Sequence, residues 1–199
     1  MWVKICGVGH AEAVSAALQG GADAIGFVFA ASVRRIEPAA AARLAAAARG
    51  RCQLVAVTVH PSQALIDEIL ATLRPDALQS DWADFASLRL PQSLVRLPVL
   101  RAAPSGSSSA ALPARLLYEG ARSGSGSIAN WNEARQLAAR SELILAGGLS
   151  AGNVGQAIER VRPFGVDVSS GVESSPGCKD PALIAQFIEA ARAVAQDVA

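Results

Sequence analysis

The sequence predicts an α/β fold, a small (β/α)8 TIM barrel with a degenerate helix after strand five. Two observations carry this. Eight short apolar runs recur along the chain, and helix-start signals stand between most of them. The runs are continuous in aliphatic and β-branched residues rather than alternating, which suits strands covered on both faces, as in a parallel sheet. Eight βα units favour a closed barrel. An open doubly wound sheet of about five strands would leave runs unexplained. At 199 residues the chain is near the lower limit for this fold, so loops must be short. No composition shift or linker divides it, and residues 1–199 read as one domain.

The elements follow in order. Trp2 to Cys6 is the first strand and residues 22–29 the second. Glu37-Pro38 places a proline at a first helical position before an Ala-rich stretch. Residues 52–59 form the third strand and 76–79 the fourth, with helical periodicity over 62–73 between them. Strand five is 95–101 and strand six 115–119. The stretch from Pro104 to Pro113 between them is too short and too rich in Pro, Gly and Ser for a full helix. Asn130 to Glu133 reads as a capping box, Asn130 on a free amide and Glu133 reaching back. Strand seven is 142–146, a helix is expected over 150–161, and strand eight is 164–168. Asp180-Pro181 opens the last helix.

Composition excludes several function classes. Lys and Arg number 18 against 17 Asp and Glu, a net charge of +1. That leaves no basic field for nucleic acid or an anionic membrane. No apolar run reaches the length of a membrane span. The opening Met1-Trp2-Val3-Lys4 lacks a charged segment before an apolar core, so no signal peptide is expected. Cys6, Cys52 and Cys178 are odd in number and far apart, fitting neither a disulfide framework nor a zinc site. A cytoplasmic protein without metal or cofactor is expected, its oligomeric state, monomer or homodimer, left open.

In such a barrel, chemistry sits at the C-terminal ends of the strands and in the loops beyond. Gly147-Gly148 after strand seven and Ser169-Ser170-Gly171 after strand eight supply backbone amides that a phosphate could approach. Turn-forming glycine is the bland alternative for either loop alone, but the pair at both expected places favours phosphate. Lys4 and Cys6 share a strand face, so both point inward while Val3 and Ile5 face the helices. Lys4 then needs a counter-charge, for which Asp167 on the neighbouring strand is the candidate. The amine would favour a Cys6 thiolate, although a free cysteine is more commonly a small buried apolar residue. Glu119 ends strand six beside apolar neighbours, where its pKa could rise and make it a general acid; a solvated carboxylate or a partner of Arg122 is the alternative. Arg34 or Arg35 could fork onto a substrate carboxylate. His10 and His60 read as exposed turn residues, and Ser123 to Gly126 as a flexible lid. Ser80 and Asp81, placed just after strand four, carry no assigned role.

These motifs together resemble the phosphoribosylanthranilate isomerases of tryptophan biosynthesis, nearly end to end. Lys4 to Gly7 is similar to the family's K-I-C-G, and residues 21–29 to G-A-D-x-x-G-F-V-F, followed by S-x-R as Ser32-Val33-Arg34. Leu145 to Leu149 with Asn153-Val154 resembles the seventh-strand motif. Residues 165–173 with Pro176-Gly177 and Lys179-Asp180 are the most specific stretch. The resemblance implies a cofactor-free Amadori rearrangement of a small phosphosugar. Cys6 would be the base, the strand-six carboxylate the acid, Arg34 the anthranilate-carboxylate ligand, Asp167 the floor, and the loops after strands seven and eight the phosphate site. Three departures stand out. Glu119 replaces the usual Asp; Gln79-Ser80-Asp81-Trp82 replaces Q-L-H-G; and Ala129-Asn130-Trp131 replaces F-D-W. Two other readings stay open: the analogous histidine-pathway sugar isomerase, which uses a carboxylate where Cys6 stands, and a non-catalytic phosphosugar-binding barrel.

Overall fold

A computed structural model describes residues 1–101, 112–120 and 128–197. Eight strands close a parallel barrel: β1 (Trp2–Cys6), β2 (Ala24–Val28), β3 (Gln53–Val57), β4 (Ala77–Asp81), β5 (Val95–Leu100), β6 (Arg115–Tyr118), β7 (Glu142–Leu145) and β8 (Gly165–Val168). Neighbours in sequence pair in order, and β8 returns to β1 with Trp2 opposite Gly165 and Lys4 opposite Asp167. The helices are α1 (Ala11–Gly20), α2 (Pro38–Ala45), α3 (Gln63–Thr72), α4 (Trp131–Ala138), α5 (Val154–Val161) and α6 (Pro181–Asp197). After β8 comes a short antiparallel ribbon, β9 (Glu173–Ser175) with β10 (Cys178–Lys179).

Side-chain alternation along the strands builds two apolar layers. Val3, Ile5, Ile25, Phe27 and their equivalents pack outward against the helices. Cys6, Ala24, Val28, Val55, Val57 and Ala77 fill one side of the barrel interior, and Leu97, Val99, Leu117, Ile144 and Ala146 the other. Trp2 touches both inner groups and lies 6.4 Å from the Phe164 ring, over which Arg115 stacks at 4.2 Å. The N-terminal end is thereby plugged with aromatic rings. The opposite end stays open for a ligand.

The helix signals act largely as expected. Pro38 opens α2 behind an extended Glu37, and Ser62 caps α3 by accepting the Leu65 N–H at 3.2 Å. Asp180 accepts from Ala182 and Leu183, fixing the start of α6. Asn130 caps α4 by accepting from Asn132 and Glu133, but Glu133 does not reach back. It accepts the buried Tyr118 hydroxyl at 2.6 Å instead, because that phenol needs a partner more than a solvated amide does. The helix expected from Ser150 begins only at Val154, since Asn153 folds over the preceding turn and accepts the Ser150 N–H at 2.8 Å.

Among the described residues, the connection after β4 departs from the βα rule. Only a 3-10 turn, Trp82–Ala86, follows β4, where the short path to β5 contains Pro91. The degenerate helix expected after β5 falls largely on residues 102–111, outside the described residues, as does the lid at Ser123 to Gly126. β4 also runs two residues further than expected, so Ser80 and Asp81 belong to the strand and not to its loop.

Candidate active site

The open end of the barrel holds a cavity of about 190 Å³ whose wall includes Cys6, Arg34, Arg101, Glu119, Asp167 and Ser169. A larger depression of about 640 Å³ lies at the plugged end, around Asp23, Arg51 and Asp76. The carboxylates there accept the Val3 and Leu54 N–H groups at 2.7 Å and serve the frame. Chemistry belongs to the first cavity.

Lys4 and Cys6 both point inward from β1, as alternation requires. Gly26 on β2 makes room for them: a Cβ there would lie 3.0 Å from Lys4 Cε and 3.2 Å from Cys6 Sγ. The fully buried Lys4 donates to Asp167 Oδ1 at 2.8 Å. Burial alone would lower the amine's pKa, but Asp167 and Cys6 outweigh it and hold Lys4 protonated, above the usual lysine range. Burial raises the Asp167 carboxyl, with Lys4 pulling the other way. The thiol of Cys6 is pushed up by burial, which exceeds the opposing effect of Lys4. That corrects the expectation that the amine would favour a thiolate, because desolvating an anion costs more here than one neighbouring charge returns.

Across the barrel, Glu119 follows β6 with its side chain 15% exposed. Its surroundings are not the apolar ones expected: Arg101, at the end of β5, donates to Glu119 and, at 2.6 Å, to Asp81. A sulfur from the start of the chain and a carboxylate from beyond its middle therefore line one cavity.

The family model for N-(5′-phosphoribosyl)anthranilate isomerase matches residues 3–190. The chain belongs to this family. The N-(5′-phosphoribosyl)anthranilate isomerase of Mesorhizobium japonicum is 40% identical, covering 98% of this chain and 97% of that protein. That of Brucella canis is 41% identical over 94% and 92%. Among solved structures, the phosphoribosyl anthranilate isomerase of Thermus thermophilus superposes with a TM-score of 0.83 at 28% identity, covering 98% and 100%. A phosphoribosyl anthranilate isomerase in complex with reduced 1-(o-carboxyphenylamino)-1-deoxyribulose 5-phosphate scores 0.80 at 30% identity, over 97% and 99%. A structure of monomers generated from the dimeric enzyme of Thermotoga maritima scores 0.78 at 28% identity, over 97% and 99%.

Within this isomerase frame, the remaining expected residues are placed unequally. Arg34 reaches the cavity, but Glu173 takes its Nε at 2.7 Å and one terminal nitrogen at 2.8 Å. Glu173 also accepts from Lys179 and, at 3.2 Å, from the Gly177 N–H. Burial alone would raise its pKa; the bonds from Arg34 and Lys179 override that and bring it to about 2. Ser169 stands on the cavity wall, with its Oγ 3.3 Å from Lys179 Nζ. Gly147, Gly148, Ser170 and Gly171 do not line it; they form the two rim loops alongside. Gly147 and Gly148 have φ of +89° and +65°, which glycine adopts without strain. A Cβ at Gly171 would lie 1.9 Å from the Leu149 carbonyl oxygen, so a bare α-carbon is what lets the two rim loops touch.

Neither histidine faces the cavity wall. His10 bridges Glu12 and the Lys179 carbonyl at 3.1 Å each, tying the ribbon to α1. His60 is mostly exposed yet pairs with Asp84 at 2.8 Å, and Ser80 donates to the same carboxylate. The Asp84 bond raises the imidazole's pKa. His60, Asp81 and Asp84 cluster closely enough to suggest a cation site, but their atoms are engaged by Ser80, Arg101 and one another.

Sequence reasoning missed Arg101 and the clamp of Glu173 with Lys179. Arg101 was findable, as a charged residue ending a predicted strand. The clamp was not, since it depends on the β9–β10 ribbon folding Lys179 back over Ser169 and Glu173.

Proposed function

We propose that Cys6 and Glu119 are the proton-transfer pair of this isomerase. The chain converts N-(5′-phosphoribosyl)anthranilate to 1-(2-carboxyphenylamino)-1-deoxyribulose 5-phosphate in tryptophan biosynthesis, an aldose–ketose isomerisation. Glu119 gives a proton to the furanose ring oxygen as the C1′–O bond breaks, leaving a protonated Schiff base with the anthranilate nitrogen. Cys6 then takes the C2′ proton, and the C–H electron pair becomes the C1′–C2′ double bond of an enolamine while the iminium is neutralised. Tautomerisation, with a proton added at C1′ and the C2′ hydroxyl proton released, yields the ketone. Protons are exchanged and no net electrons enter or leave.

The chain's other residues serve this sequence. Lys4, held protonated by Asp167, and Lys179 supply positive charge near the sulfur as it moves between thiolate and thiol. Arg101 fixes the direction of the Glu119 carboxyl by bonding it and Asp81. Arg34, braced by Glu173, turns its remaining terminal nitrogen to the anthranilate carboxylate. Backbone amides of the rim loops at Gly147-Gly148 and Ser169-Ser170-Gly171 take the phosphate. Glu for Asp at position 119 keeps the acid and moves it by about 1 Å, which the Arg101 tether accommodates. The reading carries with it a cytoplasmic location and a monomer or homodimer, the Thermotoga maritima relative being dimeric. Among the described residues no helix is long and apolar enough to cross a membrane.

The observation that carries this reading is the shared cavity of Cys6 and Glu119. Turnover followed by loss of anthranilate-ester fluorescence tests it, with the histidine-pathway substrate as control. Cys6→Ala and Glu119→Gln should each lower kcat at least about a hundredfold, the scale of a general acid or base, while affinity falls much less. A wild-type rate in either variant removes that residue from the mechanism.

A further inference from the structure

Gln79 stands in the middle of β4, opposite Val57 of β3 and Leu97 of β5. Ala77, two residues earlier, belongs to the barrel interior, so Gln79 shares that inward face. The side chain is 6% exposed and lines the cavity that also holds Cys6 and Glu119. Its Oε1 is fully buried and accepts no hydrogen bond. A buried amide oxygen left without a donor costs stability, and such groups in folded chains call for an explanation.

Among the described residues, donors on the neighbouring strands and across the barrel are committed elsewhere. The Thr58 hydroxyl lies within bonding distance of the Gln79 backbone carbonyl at 3.3 Å and Ser80 Oγ at 3.0 Å. Arg101 bonds Asp81 and Glu119, and Lys4 bonds Asp167. Trp131 Nε1 is likewise without a partner, but it does not line the cavity and Arg160 stacks over its ring. Among the described residues, Gln79 is thus the orphan that lines the site. β4 lies four strands from β8 in either direction round the barrel, so Gln79 and Asp167 face the cavity from opposite walls.

We propose that Gln79 is a substrate-binding residue whose amide oxygen accepts a hydrogen bond from a hydroxyl of the open-chain pentose. The chemistry selects this group. An acceptor needs a donor: the carboxylate and the phosphate dianion at the two ends of the substrate offer none, and the anthranilate N–H is taken by its own ortho carboxylate. The pentose hydroxyls lie between those ends, where the C2′ carbon must pass between Cys6 and Glu119. The inference rests on the substrate occupying this cavity, as the preceding section proposes.

The test replaces the amide with an apolar side chain of similar length, Gln79→Met, with Gln79→Leu as a second variant. Folding is checked by circular dichroism at the assay temperature. The expected result is a 10- to 100-fold fall in kcat/KM and a matching loss of affinity for reduced 1-(o-carboxyphenylamino)-1-deoxyribulose 5-phosphate, with a melting temperature equal to or above wild type. A role confined to the fold would give the reverse: a lower melting temperature with kcat/KM and analogue affinity within twofold of wild type. That result overturns the inference, as does unchanged analogue affinity in a folded variant. Wild-type protein that neither turns over the anthranilate substrate nor binds the analogue defeats the broader reading and this one together. Active wild type with an equally active Gln79→Met defeats this one alone.

Discussion

Glu173→Gln removes one negative charge from the clamp that holds Arg34 and the β9–β10 ribbon. The carboxylate accepts from Arg34 at 2.7 and 2.8 Å, from Gly177 N–H at 3.2 Å, and from Lys179. Its pKa falls from an ordinary 4.5 to about 2. A depressed carboxyl stabilises the fold fully above the unfolded value and loses that contribution as pH falls toward the folded one. The full shift corresponds to at most about 3.4 kcal/mol, and solvent screening reduces this to about 2–3 kcal/mol. The same linkage gives a loss of about 1–1.4 kcal/mol of it between pH 7 and pH 3.5. Glutamine keeps the shape but leaves the buried Lys179 ammonium without its anion. Urea unfolding at both pH values should therefore show Glu173→Gln less stable by about 2–3 kcal/mol at pH 7, with the gap narrowing by about 1 kcal/mol at pH 3.5. A gap that is the same at both pH values, or below about 0.5 kcal/mol at pH 7, would mean that the clamp does not act through its charge.

Other outcomes follow from the same geometry. Arg34→Ala should raise the Michaelis constant for the anthranilate substrate by about tenfold or more, the loss of a charge-assisted pair, with kcat changed less; an unaltered constant would count against the carboxylate assignment. Lys4→Met strands Asp167 in the interior and should cost about 3–5 kcal/mol in chemical unfolding, most of it recovered by adding Asp167→Leu; a double variant as unstable as the single would refute charge pairing as the cause. Because burial lifts the Cys6 thiol above its ordinary 9.0, the thiolate fraction grows with alkalinity, and the rate of Cys6 alkylation by iodoacetamide, followed in a Cys52→Ala/Cys178→Ala background, should climb through pH 9 without levelling. A plateau near neutrality would show that Lys4 governs the sulfur after all.

Residue patterns lose their meaning where long-range contacts replace them, and this chain illustrates both sides. Eight runs, their order and closure were legible because burial on both faces leaves an unbroken aliphatic signature that needs no partner to be recognised. Lys4, Cys6 and Asp167 were legible for a related reason: strand alternation sets which side chains point inward, and β8 must lie beside β1 once the barrel closes. Glu133 was misread because its competing partner, the Tyr118 hydroxyl, comes from β6.

The sequence by itself determined the barrel, the inward face of β1 and the short set of strand-end residues, since these depend on periodicities of two or 3.6 residues along the chain. Apart from Lys4 with Asp167, only the tertiary structure decided how those residues are paired. Glu173 found Arg34 through the folded ribbon, Arg101 found both Glu119 and Asp81, and Gln79 was left facing the cavity without a donor. Hydrogen bonds and ion pairs depend on distances of about 3 Å between atoms far apart in sequence, and no local pattern of residue types encodes such a distance.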